Sequence, residues 1–191
     1  MKRTIKIGIL SALLVSYTLA SKAQDATTHK DNPQEWRISV GPDAGVPVGQ
    51  FSNAYNWNFG GSAQVDIPIL RKLYVTVNAG YEDFFVKKNQ VDAPQRNLQL
   101  VPVKAGFKWF FVGNLLYVQG QAGVAFVGNK SDLDANNSAI FDYAPQVGVL
   151  LKLATKNYLD LGVRFEGMAP IYKDGSYNNF LGLRAAYAFG L

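Results

Sequence analysis

Cysteine is absent from the 191-residue sequence, and histidine occurs once, at His29. The lack of cysteine excludes a disulfide scaffold and thiolate metal sites, so stability has to come from burial and backbone hydrogen bonds. The single histidine lies in a polar segment without a hydrophobic period, where a solvated side chain is expected. Enzymes that depend on a histidine base therefore find little support in this sequence.

Long apolar runs are also scarce. The main apolar stretch, residues 7–20, is short for the roughly 20 residues that a membrane-spanning helix requires. Three basic residues precede it and Ser21-Lys22-Ala23 follows it, which is the layout of a cleaved secretory signal. The predicted organisation is a signal peptide over 1–23, cleaved between Ala23 and Gln24, a flexible lead-in over 24–35, and one domain over 36–191.

Positive charge has only a small excess once the signal peptide is set aside. The full sequence has nineteen basic and fourteen acidic residues, and four of the basic residues but no acidic one lie in 1–23. Removal of these four leaves fifteen basic residues against fourteen acidic ones. A nucleic-acid partner is therefore not expected, because it would need a retained basic surface.

The segment LVPVKAGFKWFF shows the pattern that recurs along the chain. Lys104 and Lys108 are four residues apart, which suits one stripe of a helix as well as one face of a strand. A helix would spread Phe107, Trp109 and Phe111 around its circumference, whereas a strand places them together on the face opposite the lysines. Similar alternation predicts eight strands, in the segments 36–48, 59–69, 73–81, 101–111, 116–126, 147–153, 159–165 and 181–189.

The connections between these segments alternate in length, which predicts an up-and-down meander whose two ends face different environments. Outer-membrane barrels have this asymmetry, and closure is required because hydrocarbon cannot pair free backbone groups. We therefore predict an all-β, eight-stranded, antiparallel up-and-down transmembrane β-barrel. Long polar loops are predicted near 49–57, 85–97, 127–141 and 168–178, and tight turns near 70–72, 112–114 and 154–156.

Two features indicate that the apolar face points outward. Each strand carries glycine on its polar face, where a narrow interior needs room for long polar side chains. Aromatic residues on the apolar face fall near the two strand ends, as they do in membrane-interface girdles. The predicted lipid-interface aromatics are Trp36, Trp109, Phe111, Tyr187 and Phe189 near the short turns, and Phe59, Tyr81, Phe126 and Phe165 near the long loops.

Prolines interrupt this pattern. Pro102 and Pro145 each remove a ladder donor, so pairing is expected to start after them or to absorb them in a bulge. Pro42 and Pro47 leave the register of the first strand open.

Several segments resemble the small outer-membrane β-barrel family of Gram-negative bacteria, known as the porin family or outer membrane protein beta-barrel domain, of the OmpA/OmpX-like eight-stranded type. They are SVGPDAGVPVGQF, NFGGSAQVDIPI, VPVKAGFKWFF, YVQGQAGVAF and LGLRAAYAFGL, and the resemblance covers 36–191. It implies an outer-membrane location, lipid as the surrounding partner, and recognition of Tyr187, Phe189 and Leu191 by the barrel-assembly machinery. Unlike the OmpA type, the sequence stops with its last predicted strand, so no peptidoglycan-binding domain is expected to follow. The resemblance is weak for activity.

The inward face carries six basic and five acidic residues, which permits two interpretations. In the first, a salt-bridge network fills the narrow lumen, and the barrel has a structural or loop-mediated interaction role. In the second, a narrow pore is weakly anion-selective. The predicted network comprises Asp66, Glu82, Lys104, Lys108, Asp160, Arg164, Glu166 and Arg184, with Arg37, Asp43 and Lys152 completing the inward set.

Catalysis and metal binding find little support in the motifs. A lipid-modifying enzyme is a remote alternative, because the predicted barrel lacks histidine and a G-x-S-x-G elbow. Asp132, Asp134 and Asn136 have the spacing that opens a calcium loop, but Asn137 and Tyr143 replace the glycine and glutamate that should follow. We expect no enzyme activity, cofactor or metal, a monomer, and external loops with an unidentified ligand.

Overall fold

A computed structural model of the chain describes residues 35–87, 96–129, 137–171 and 177–191. The predicted signal peptide with its cleavage site, the lead-in up to residue 34, and the calcium-like aspartates of 127–141 lie outside these residues. The strands are β1 (Arg37–Val48), β2 (Tyr55–Leu70), β3 (Leu73–Val86), β4 (Leu98–Val112), β5 (Leu116–Val127), β6 (Ala139–Ala154), β7 (Asn157–Met168) and β8 (Asn178–Gly190), and a four-residue helix, α1 (Phe51–Ala54), follows β1.

The eight strands form one closed antiparallel barrel in sequence order. Each strand pairs with its neighbours in the chain, and β1 closes the ring against β8, with Ile38 opposite Phe189 and Val46 opposite Leu181. Closure leaves no exposed sheet edge, so every strand has a hydrogen-bonded neighbour on both sides. The predicted fold class is confirmed.

Strand β4 shows how the alternation places its side chains. Lys104 and Lys108 are buried in the interior, and Val103, Phe107 and Trp109 are exposed on the outer wall. Because successive side chains of a strand point to opposite faces, one period sorts the whole segment. The strand interpretation of LVPVKAGFKWFF is therefore correct, and the helical one is wrong.

The connection between β1 and β2 is shorter than predicted. The expected long loop over 49–57 is wrong, because β2 already begins at Tyr55 and α1 occupies most of the remaining segment. Ser52 N donates to Gly49 O at 3.3 Å and Asn53 N donates to Gln50 O at 3.0 Å, which turns the chain tightly. Strand β6 is likewise longer than expected, since it begins at Ala139 within the predicted loop 127–141.

The short connections agree with the sequence pattern. They comprise residues 71–72, 113–115 and 155–156, between β2 and β3, β4 and β5, and β6 and β7. Gly113 has a φ of 54°, a left-handed conformation that favours glycine in a tight turn. Leu191 N donates to Trp36 O at 2.9 Å, so both ends of the barrel sequence lie at this short-turn end.

The prolines are accommodated in a way that neither predicted alternative describes. Pro102 pairs with Ala125 of β5, and β4 begins four residues before it. Toward β3 the ladder skips Pro102 and resumes in the same register, with Val103 opposite Ala79 and Leu100 opposite Glu82. Pairing therefore neither starts after the proline nor absorbs it in a bulge; one edge of β4 loses hydrogen bonds locally.

The ladders at Pro145 and Pro42 follow the same rule. The β6–β7 ladder keeps one register across Pro145, from Tyr143 opposite Gly167 to Gln146 opposite Arg164. The β1–β8 ladder does so across Pro42.

The interior has three layers. A charged layer occupies the middle, between an apolar layer at the long-loop end and an aromatic layer at the short-turn end. The apolar layer comprises Phe51, Tyr55, Phe84, Leu98, Leu100, Ala125, Val127, Ile140, Met168, Ile171 and Phe180, and the aromatic layer comprises Tyr74, Phe110, Tyr117, Leu150, Tyr158 and Ala188. The predicted polar filling is thus confined to the middle of the barrel.

Closure of the ladder predicts resistance to SDS. Refolded protein loaded without heating should migrate differently from boiled protein, because detergent cannot open a barrel whose ladder has no edge. Gel electrophoresis with and without boiling measures this. A variant truncated before Asn178 lacks β8 and serves as the control, with one position under both conditions. Identical migration of the full barrel in both lanes would contradict the closed fold.

Candidate functional site

The charged layer is built around Arg164 of β7, whose guanidinium contacts carboxylates from three strands. Nη1 donates to Asp43 Oδ1 of β1 at 3.0 Å, and Nη2 pairs with Glu82 of β3. Nε lies 2.8 Å from Oε2 of Glu166, two residues further along β7. The planar fork of arginine can meet several carboxylates at once, which a lysine ammonium does with less directional fit.

Lys104 of β4 extends this group toward the long-loop end. Its ammonium pairs with Glu166, and it lies 3.3 Å from Asp142 Oδ2 of β6. Glu166 is therefore shared between Lys104 and Arg164, which joins the two cations into one network. Asp142 was missed in the sequence because β6 was predicted to begin later. Extending the alternation back from Gln146 through Ala144 would have placed it inward.

Lys108 holds a second group nearer the short turns. Its ammonium lies 2.7 Å from Asp66 Oδ2 and 3.0 Å from Asp160 Oδ2. Tyr117 Oη donates to Asp160 Oδ1 at 2.5 Å, and the Tyr117 ring centroid lies 4.6 Å from Lys108 Nζ. Gln146 in turn donates to Tyr117 Oη at 2.6 Å. This group combines an ion-paired lysine with an aromatic face, so the ammonium is enclosed.

Arg184 of β8 links the network to β1 and β2 through hydroxyl groups. It donates from Nε to Ser62 Oγ and from Nη2 to Ser39 Oγ, both at 3.2 Å. Its Nε also lies 4.0 Å from Asp43 Oδ1, at the outer limit of an ion pair. Arg184 therefore contributes mainly hydrogen bonds, whereas Arg164 carries the central ion pairs.

The eight residues of the predicted network are all buried in this layer, but the charge count differs from the prediction. Lys152 is exposed, because it lies opposite Tyr158 at the short-turn rim, beyond the packed interior. The predicted excess of bases is wrong: among the described residues, five basic side chains are buried with six acidic ones. They are Arg37, Lys104, Lys108, Arg164 and Arg184, with Asp43, Asp66, Glu82, Asp142, Asp160 and Glu166.

Arg37 lies apart from these ion pairs, among aromatic side chains at the short-turn end. Its Nη2 donates to Tyr74 Oη at 3.1 Å. The guanidinium carbon lies 4.7 Å from the ring centroid of Tyr74, 5.2 Å from that of Tyr158 and 5.5 Å from that of Phe110. Cation–π attraction replaces part of the lost hydration, and the arginine closes the interior at this end.

A neutral cluster fills the barrel beside the charged groups. Gln121 Nε2 donates to Thr76 Oγ1 at 2.9 Å and to Gln64 Oε1 at 3.2 Å. Gln64 and Gln119 face each other through their amides, and Gln64 also donates to Asp66 Oδ1 at 2.7 Å. These amides supply both donors and acceptors, so they satisfy buried polar atoms without adding charge.

Glycines on the inner face make the room for these long side chains. The Tyr117 ring lies directly over Gly148, where a Cβ would collide with Cζ and Oη. The amide of Gln146 lies over Gly162 in the same way. The predicted steric role of the inward glycines is therefore visible at these two positions.

The predicted interface aromatics all have outward-facing side chains, exposed or, for Phe165, half-buried. Further outward aromatics near the long loops were not predicted, because β2, β3 and β6 extend beyond their predicted ends. Trp57 stacks on Phe85 with ring centroids 4.4 Å apart, and Phe141 lies beside Tyr143 at 6.3 Å. Between the two groups of aromatics the outer wall exposes aliphatic side chains, with Val147 57% and Leu183 61% exposed.

The chemistry of this interior is that of a packed core. The charged side chains of the middle layer are buried against one another, and the apolar and aromatic layers lie at its two ends. Within the same residues, no group of three or more His, Cys, Asp or Glu is arranged to hold a metal ion. None of the described helices is long and apolar enough to cross a bilayer.

Several solved structures with the same fold are small outer-membrane barrels. OprG from Pseudomonas aeruginosa matches with a TM-score of 0.54 and 10% identity over 83% of this chain and 96% of its own. The neisserial surface protein NspA matches with a TM-score of 0.53 and 11% identity, over 82% of this chain and 96% of its own. Ail, the attachment invasion locus protein of Yersinia pestis, matches with a TM-score of 0.51 and 12% identity, over 82% of this chain and 99% of its own.

No protein-family model matches the chain, and no curated protein does. The structural likeness covers almost the whole length of each similar barrel. The chain therefore has the fold of the small eight-stranded outer-membrane barrels, and at these identities the likeness concerns the fold alone.

Removal of the central arginine should strongly destabilise the barrel. Arg164→Gln leaves three buried carboxylates without their shared cation, and we expect a loss of about 3–5 kcal/mol in the free energy of unfolding. Urea unfolding in lipid vesicles, followed by tryptophan fluorescence, measures the change. Lys156→Gln is the control, because Lys156 pairs with Glu35 at 3.8 Å with its side chain 60% exposed and should cost at most about 1 kcal/mol. Equal effects would refute the central role of Arg164.

An alanine at an inner glycine should destabilise the barrel through a steric clash, whereas an alanine at an outward glycine should not. Gly148→Ala forces the Tyr117 ring away from Asp160, and we expect a loss of about 1–3 kcal/mol. Gly120→Ala is the matched control, because nothing lies within 4 Å of a Cβ at that outward position. The same urea titration compares the two variants. A near-neutral Gly148→Ala would show that the tyrosine contact does not constrain the interior.

Proposed function

We propose that the chain is an outer-membrane protein whose barrel is a non-conducting scaffold and whose interactions are made at the long-loop end. The observation that carries the proposal is the occupancy of the interior: a paired charge network lies between an apolar layer and an aromatic layer. A conduit for ions or solutes would need a continuous wet path, and an eight-stranded barrel has little space beyond its own side chains.

The apolar layer supports the proposal at the long-loop end. The rings of Phe51, Phe84 and Phe180 form a chain across the barrel mouth, with centroids 5.1 and 5.2 Å apart. Phe51 belongs to α1, so the β1–β2 connection folds over the interior. Hydrated ions cross such an apolar constriction at high cost, because they lose water contacts without gaining polar ones.

The outer wall supports residence in a membrane. It exposes contiguous aliphatic side chains between two groups of outward aromatics, and a bilayer removes such a surface from water. The similar solved barrels are outer-membrane proteins, which supports the same compartment for this chain. An exported precursor, and assembly through the end of β8 with Tyr187, Phe189 and Leu191, belong to the same proposal.

The loop-mediated role draws support from the interior, which offers no path, and from the nature of two similar barrels. Ail is named as the attachment invasion locus protein, and NspA as a surface protein. None of the three similar structures is described as an enzyme, in keeping with a non-enzymatic role. Loop 85–97 carries Lys87, Lys88 and Arg96 against Asp92, so we expect an acidic rather than a basic ligand there.

The anion-selective pore is the alternative, in which Lys104, Lys108, Arg164 and Arg184 would attract anions. Arg184 is held mainly by the hydroxyl groups of Ser39 and Ser62, and the other three are ion-paired. Lys104, Lys108 and Arg164 each contact at least two carboxylates. The buried formal charge among the described residues is one unit negative, from five basic and six acidic side chains. A lumen that is net negative, with both lysines and the central arginine paired, does not favour anions.

Conductance measurements test the non-conducting scaffold. The refolded barrel, inserted in planar bilayers, should give no stable single-channel steps. Insertion is verified by heat-dependent migration of the same preparation, so that silence cannot arise from failed refolding. Reproducible unitary steps that reverse at an anion-selective potential would overturn the proposal in favour of the pore.

A further inference from the structure

The short-turn end of the barrel carries basic residues at two places on its rim. Arg71 and Lys72 form the turn between β2 and β3, and Lys152 and Lys156 flank the turn between β6 and β7. All four are exposed. Four of the eight strands separate the two turns in either direction around the ring, so the pairs lie on opposite sides of the barrel.

The second pair belongs to the hairpin of β6 and β7, and both of these strands line a groove in the outer wall of the barrel. The groove has a volume of about 700 Å³ and runs over β5 to β8 and β1. Aliphatic side chains line it, including Val149, Leu161 and Val163. The small residues Ala44 and Ala185 leave its centre shallow, and Phe59 and Phe111 border it. Its volume lies within the range of pockets that hold small organic ligands.

Strand register brings the groove and the lysines together. Val149 lines the groove opposite Leu116, and Lys152 follows three residues later on the same strand, at an inward-parity position past the packed interior, where its side chain is exposed at the rim. Three residues of strand span about 10 Å. Lys156 lies just beyond, in the same hairpin, and its exposed pair with Glu35 at 3.8 Å holds it only weakly. The apolar groove on the outer wall thus lies close to two lysines at the rim.

We propose that this groove and the Lys152–Lys156 hairpin form a binding site for an anionic glycerophospholipid of the leaflet at the short-turn end. One acyl chain lies along Val149, Leu161 and Val163, and the headgroup phosphate lies at the two lysines. An acyl chain can pack in the groove because both are apolar, and a net-negative headgroup is attracted to lysines at a membrane surface. The proposal rests on the membrane residence proposed above.

The second basic turn separates this site from general electrostatic attraction. Arg71 and Lys72 have the same charge at the same rim, but their own hairpin contributes only Phe59 to the groove, far along β2 from the turn. A lipid drawn by charge alone would occupy both hairpins equally. A lipid that also uses the groove should prefer the Lys152–Lys156 hairpin.

Lipid retention tests the site. The refolded full barrel is placed in nanodiscs of phosphatidylcholine with a minor fraction of phosphatidylglycerol, released into mild detergent and weighed by native mass spectrometry. We expect retained phosphatidylglycerol, reduced about tenfold by Lys152→Gln with Lys156→Gln, since each lysine near a membrane surface contributes several-fold in affinity. The matched variant Arg71→Gln with Lys72→Gln should retain the lipid as the unaltered barrel does.

Filling the groove tests its apolar half. Val163→Trp should also reduce phosphatidylglycerol retention, while Val77→Trp on β3, an exposed outward position outside the groove, should not. The proposal would be overturned if the two double variants lost phosphatidylglycerol equally, or if neither affected its retention. Masses of a barrel dimer in place of lipid adducts would also overturn it. Heat-dependent migration of the same samples shows whether the barrel itself has folded, so a failure of the membrane proposal is distinguishable.

Discussion

Charged side chains enclosed in a narrow barrel are stable only when they are paired, and this constraint organises the interior. Arg164 contacts carboxylates contributed by β1, β3 and β7, and Lys104 brings β4 and β6 to the same Glu166. The network therefore ties together strands that are not neighbours in the sheet. Backbone hydrogen bonds close the ring, and the ion pairs brace it from within.

The other features of the barrel follow from that requirement. Glycines such as Gly148 give space to the side chains that complete the pairing, here Tyr117 over Asp160. The apolar layer with Phe84 and the aromatic layer with Arg37 separate the charges from solvent at both ends. Water exclusion strengthens each ion pair and raises the cost of breaking one. The same packing leaves function to the loops and the outer wall.

The sequence predicts the fold well because one period decides it. Alternation of apolar and polar residues, together with the spacing of tight turns, was sufficient for eight strands and a closed barrel. It was insufficient for Asp142, where the strand start was misplaced, and for Lys152, where parity is inward but the position lies past the packed interior. The pairing at Pro102 could not be predicted either. Whether the ladder keeps its register after the loss of one donor depends on both neighbouring strands. Partner choice within the network depends on side-chain reach across the lumen, which no local pattern encodes.

The coupling between Arg164 and Glu82, on strands that are not adjacent, tests the central claim most directly. A double-mutant cycle of Arg164→Gln and Glu82→Gln in lipid vesicles measures their interaction free energy without the effects of either substitution alone. The account predicts a favourable coupling of about 1 kcal/mol or more, as contacting residues within one network show. Strictly additive effects of the two substitutions would contradict a barrel braced by its buried ion pairs.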